Sequence, residues 1–147
     1  MRKLSVCLMA LMLMATVSAN AQEYTKKTVK NITESFISTL MRGDLEDTLE
    51  FFDSNYKEEQ HDNFLEGRTE QFVAEFLAGE YKKGYHFITP KLDRIKSMKV
   101  KKTYCDPEKN EIYADVQILM DYGVKYTVRL ELRINESGEM GFIGAVG

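Results

Sequence analysis

The feature that most restricts the fold is a period-two alternation through the second half of the chain. Ile112, Ala114, Val116, Ile118 and Met120 share one parity, and Tyr113, Asp115, Gln117, Leu119 and Asp121 the other. After Asp121-Tyr122-Gly123, the residues Val124, Tyr126, Val128, Leu130, Leu132 and Ile134 alternate with Lys125, Thr127, Arg129, Glu131 and Arg133. Side chains on a strand point to opposite faces in turn. A sequence that keeps one parity apolar and the other polar over ten residues therefore describes an antiparallel sheet covered on one side and wetted on the other.

The flanking segments extend this sheet. Met98 and Val100 share a face with Lys102 and Tyr104, and Asp106-Pro107-Glu108-Lys109-Asn110 has turn composition. Asn135-Glu136-Ser137-Gly138 is the next turn, and Gly141-Phe142-Ile143-Gly144-Ala145-Val146 a last strand of small residues.

The cover comes from the first half. From Thr28, the apolar positions Val29, Ile32, Phe36, Ile37 and Leu40 have helical spacing. Gly43 is placed to end that helix in the left-handed conformation, and Asp44 to cap the next one. Leu45, Leu49 and Phe52 form the inner side of the second helix, and Asp53-Ser54-Asn55 ends it. Residues 56–66 have no clear period and fit a helix extension, a loop or an edge strand. From Arg68, the residues Phe72, Val73, Phe76 and Leu77 are helical again, with Glu70 and Glu75 on the far side and Gly79 at the end. Gly84 opens an extended aromatic segment, Tyr85-His86-Phe87-Ile88. The fold class is α+β: three N-terminal helices packed on an antiparallel sheet.

The amino terminus predicts export. Arg2 and Lys3 precede an apolar run from Leu4 to Val17, and Ser18-Ala19-Asn20-Ala21 ends in Ala-x-Ala. That is the pattern of a secretory signal peptide over residues 1–21, cleaved after Ala21. The run is too short to anchor the chain in a bilayer, which needs about 20 apolar residues. Residues 22–27 are a short disordered lead, and 28–147 a single domain.

Cleavage removes two cations and no acid, taking the net charge from −3 to −5. An acidic domain of this kind argues against nucleic acid and anionic membrane surfaces as partners. The one basic cluster is Lys91, Arg94, Lys96, Lys99, Lys101 and Lys102, which reads as a solvated strand face. Only Cys105 remains after cleavage, so no disulfide forms within the mature chain. Two histidines and one cysteine, far apart and without ligand spacing, predict no metal and no cofactor.

The ordered set Phe36-Ile37-Ser38-Thr39-Leu40-Met41-Arg42-Gly43-Asp44-Leu45-Glu46-Asp47-Thr48-Leu49, then Glu66-Gly67-Arg68-Thr69-Glu70-Gln71-Phe72, then the strands from Met98 onward resembles the nuclear-transport-factor-two-like superfamily of cystatin-like cone folds. Within it, the chain is most similar to small exported bacterial domains. The resemblance implies a strongly curved sheet rolled around the helices, with a conical pocket open at one end. It covers isomerases, cyclases, dehydratases, immunity proteins and protein-binding adaptors alike, so it does not fix a function.

Enzymes of that superfamily use an Asp or His base on the pocket wall with tyrosine or acid donors opposite. The candidates for such a role are His61, His86, Asp53, Tyr56, Tyr104 and Tyr126, with His61 reading as a surface residue beside Asp62. Asp115, Asp121 and Glu131 fall on the outward parity, where a charge is solvated. No pair has a spacing that demands catalysis, so an isomerase- or dehydratase-like activity ranks below binding.

The expectation is an exported, periplasmic or extracellular binding domain with an apolar conical pocket for a small apolar ligand or peptide, lined by Tyr126, Tyr85, His86, Phe87, Phe72, Phe76, Met120 and Tyr56. The alternative for these side chains is simple core filling. A protein–protein module is the second functional reading. The charged outer sheet face predicts a monomer or a weak homodimer.

Overall fold

The computed structural model describes residues 23–79 and 89–147. The expected signal peptide and the segment holding Tyr85, His86 and Phe87 lie outside the described residues.

Helix α1 spans Lys26–Met41. It starts two residues before the expected position because Thr25 caps it, accepting from the Thr28 backbone while the Thr28 hydroxyl accepts from the Thr25 N–H at 3.1 Å. Val29, Thr33, Phe36 and Leu40 form its buried stripe. Gly43 takes φ +82°, a conformation that costs glycine little.

The second expected helix is a 3-10 segment, Glu46–Phe51, and Asp44 does not cap it. Its carboxylate is engaged by the Arg42 guanidinium at 3.1 Å instead. Asp53 does not end a helix but starts one. Its Oδ1 accepts from the Asn55 and Tyr56 backbone N–H groups at 3.2 and 3.1 Å, opening α2, Ser54–Lys57, which runs on as a π-helical segment, Glu58–Phe64. A carboxylate serves as well at the start of a helix as in a turn. The residues between 56 and 66 are therefore largely helical. Helix α3, Thr69–Ala78, buries Phe72, Val73, Phe76 and Leu77 as its spacing required.

Four strands follow: β1 (Ile95–Asp106), β2 (Glu111–Met120), β3 (Lys125–Ile134) and β4 (Met140–Val146). They form an antiparallel meander in the order β1-β2-β3-β4. The fold is α+β, with α1 across β1 and β2, and α3 against β4. β2 keeps its expected alternation, with Ile112, Ala114, Val116, Ile118 and Met120 buried.

β1 does not keep one parity. Val100 pairs with Val116 but Lys102 pairs with Asp115, so Lys101 is an extra residue in a bulge. Beyond it, Thr103 and Cys105 lie opposite the buried Ala114 and Ile112, and Lys102 and Tyr104 opposite Asp115 and Tyr113 on the outer face. The expectation that Lys102 and Tyr104 share the face of Met98 and Val100 is overturned by this one residue. A second irregularity in β1 falls at Lys96, and one in β4 between the partners of Glu131 and Leu132.

The space between helices and sheet is filled by phenylalanine. Phe36 lies 5.1–6.1 Å, ring centre to ring centre, from Phe51, Phe52, Phe76 and Phe142, and Phe52 lies 4.7 Å from both Phe72 and Phe76. Most of these pairs meet edge-on or tilted, the arrangement the ring quadrupole favours. Gly141 admits the approach of β4 to the helical layer. A Cβ there would stand 2.6 Å from the Asp53 backbone nitrogen.

Candidate binding clefts

The expected lining residues separate into three groups. Phe72, Phe76 and Met120 are buried core. Tyr56 is half-buried and meets Phe72 and Phe76 at a small cleft of about 180 Å³, shared with Gln60, Leu65, Glu75, Gly79 and Ala145. Tyr126 stands apart on β3. Its hydroxyl donates to the Leu77 carbonyl at 3.1 Å, and burial, aided by Tyr122, pushes its phenol up to about 12. That hydroxyl ties β3 to α3.

Of the residues considered for acid–base work, His61 differs most from expectation. It is not at the surface but only 6% exposed. The π-helical segment turns its ring inward against Phe72, with centroids 5.3 Å apart. Its Nδ1 lies 2.5 Å from Asp62 Oδ1 and its Nε2 2.9 Å from Thr69 Oγ1. Carboxylate, imidazole and hydroxyl in line is the arrangement that activates a nucleophile. Here Thr69 is only 5% exposed, which closes its hydroxyl to a substrate. The array works as a tether between the π-helical segment and α3.

Asp53 is equally committed. Besides capping α2 it accepts from Arg133 Nη2 at 2.6 Å. Tyr104 stacks on Tyr113 on the outer face, 5.3 Å away, where Arg129 lies 3.8 Å over the Tyr113 ring and pairs with Asp115 at 2.7 Å. The acids Asp115 and Glu131 lie on the outer parity, and Asp121, in the turn after β2, holds Arg94 at 3.0 Å. The one cysteine among the described residues, Cys105, is half-buried, and desolvation followed by Asp106 raises its pKa. That makes it a poor nucleophile. Among the described residues, no group of three His, Cys, Asp or Glu side chains is placed to hold a metal ion. No described helix is long and apolar enough to cross a membrane.

A larger cleft of about 380 Å³ opens at the Gly43-Asp44 corner. The last turn of α1 supplies Leu40 and Met41, the corner supplies Arg42, Gly43 and Leu45, α3 supplies Glu70, and the approach to β1 supplies Leu92, Asp93 and Ile95. Leu40 and Ile95 are nearly buried, Leu45 and Leu92 half-buried, and Met41 is 43% exposed. The sequence reading assigned Leu40 and Leu45 to the core and missed this cleft. Its one available signal was Met41, an apolar side chain off the buried stripe of α1.

No known protein family, no curated protein and no solved structure matches this chain.

Proposed function

We propose that the chain is a small exported binding domain, and that its ligand occupies the corner cleft rather than a cone between helices and sheet. One observation carries this reading: the helix–sheet interior is filled by phenylalanines, while the corner cleft has an apolar floor of Leu40, Leu45, Leu92 and Ile95 with Met41 exposed beside it. About 380 Å³ lies within the range of small-ligand sites, roughly 300–1,000 Å³. Periplasmic or extracellular placement rests on the signal-like residues 1–21. The cone-fold reading rests on the helix-then-meander order and the Gly-Asp corner.

Native mass spectrometry of the protein isolated from its host's envelope fraction tests the proposal. A bound mass that is lost on denaturation, and lost from a Leu45→Asp variant, supports it. A bare mass for the wild type, together with no shift of the cleft methyl resonances in a small-molecule screen, overturns it. A protein-interaction role has one feature in its favour, the exposed Tyr122 and Val124 at the β2–β3 turn.

A further inference from the structure

The geometry points to a small amphiphilic amine, an apolar body ending in a protonated nitrogen, as the occupant of the corner cleft. This rests on the binding reading just given and adds the charge of the ligand.

The rim of the cleft is unbalanced. Glu70 and Asp93 both line it, and neither enters an ion pair among the described residues. The only cation on the rim, Arg42, is turned away. Its Nε reaches Asp44 Oδ2 at 3.1 Å, its Nη1 reaches Ser38 Oγ at 3.1 Å, and its Nη2 reaches Thr39 Oγ1 at 3.5 Å, all along the flank of α1. Of the cations that flank Leu92–Ile95 in the chain, Arg94 is held by Asp121 at 3.0 Å and lies 4.8 Å over the Tyr122 ring, and the exposed Lys91 and Lys96 do not line the cleft. Glu46 and Asp47, exposed and outside any described ion pair, follow directly on Leu45 and deepen the negative field at the corner.

An apolar floor beneath two uncompensated carboxylates selects against a fatty acid, whose head would be repelled. It accepts an alcohol of the same length without preference and favours an ammonium.

The test uses three probes of equal apolar length, n-octylamine, n-octanol and n-octanoate. They are titrated into methyl-labelled protein expressed from the complete chain, at neutral pH. The expected result is a shift of the Leu40, Met41, Leu45, Leu92 and Ile95 methyl resonances. Octylamine should bind about five- to tenfold more tightly than octanol, and octanoate most weakly. The double variant E70Q/D93N, altered at two exposed positions, should keep the shifts but equalise amine and alcohol, as should high salt. Equal affinities for all three probes in the wild type would overturn the charge inference and leave the binding site standing. Shifts confined to residues elsewhere, or none, would overturn the cleft itself.

Discussion

His61 Nε2 and Thr69 Oγ1 meet at 2.9 Å across the gap between the π-helical segment and α3. With Asp62 on the other ring nitrogen, both imidazole nitrogens are satisfied in a buried setting, where an unmet polar atom would be costly. Thr69→Val should therefore cost about 1–3 kcal/mol, because it strands an imidazole nitrogen. His61→Ala should cost at least as much, through lost packing on Phe72. Chemical denaturation of both single variants and the double variant measures the coupling. Additive losses would mean that the contact contributes nothing of its own.

Asp53 and Arg133 form a pair that is unequal in environment. Asp53 is 4% exposed, whereas the Arg133 side chain is 47% exposed. Asp53→Ala removes the cap of α2 and the partner of β3 together, and should cost roughly 2–4 kcal/mol. Arg133→Ala leaves the carboxylate with its two backbone donors and should cost less, about 1 kcal/mol. Thermal unfolding that ranked Arg133→Ala the more damaging would refute this division of labour.

The helices α1 and α3 and the inner faces of β2 and β3 were legible because burial enforces periodicity: Val29, Phe36, Phe72, Phe76, Val116 and Leu130 each sit where their spacing put them. What was not legible depends on a single residue or on tertiary partners. Asp53 has the composition of a helix end and a helix start alike, and only Arg133 and β4 decide between them. His61 looks polar beside Asp62, and its burial follows from Thr69 and Phe72, which reach it only after the chain has turned. The corner cleft needs Leu92 and Ile95 brought beside Leu40 and Leu45, which no local pattern announces.

Lys101 is the extra residue of the bulge in β1. Pairing moves from Val100–Val116 to Lys102–Asp115 across it, so deleting it would leave an unbulged ladder with Lys102 and Tyr104 still outward and Thr103 and Cys105 still inward. The deletion should therefore still unfold cooperatively, with a cost confined to the local bend that the bulge gives β1. Lys101→Ala should change stability by less than about 0.5 kcal/mol, because the exposed side chain is not what holds the bulge. Denaturation curves of the two variants check this. Loss of cooperative unfolding in the deletion protein would show that the bulge itself is required, beyond the facing of the residues after it.

Tyr126 gives the fold an alkaline limit. Its folded-state pKa of about 12 stands above the ordinary value of 10.0, chiefly through desolvation and then through Tyr122. Between those two values the unfolded chain loses the phenolic proton while the folded chain keeps it. The native state therefore binds more protons there, and stability falls as pH rises. The contribution of Tyr126 is fully present below about pH 10 and is lost progressively toward pH 12. Tyr126→Phe should lower stability at neutral pH by about 1 kcal/mol, the order of one hydrogen bond to the Leu77 carbonyl. It should also flatten the decline between pH 10 and 12 relative to the wild type. Melting temperatures of the two proteins across that interval decide the matter. Parallel curves would place the alkaline sensitivity on other groups.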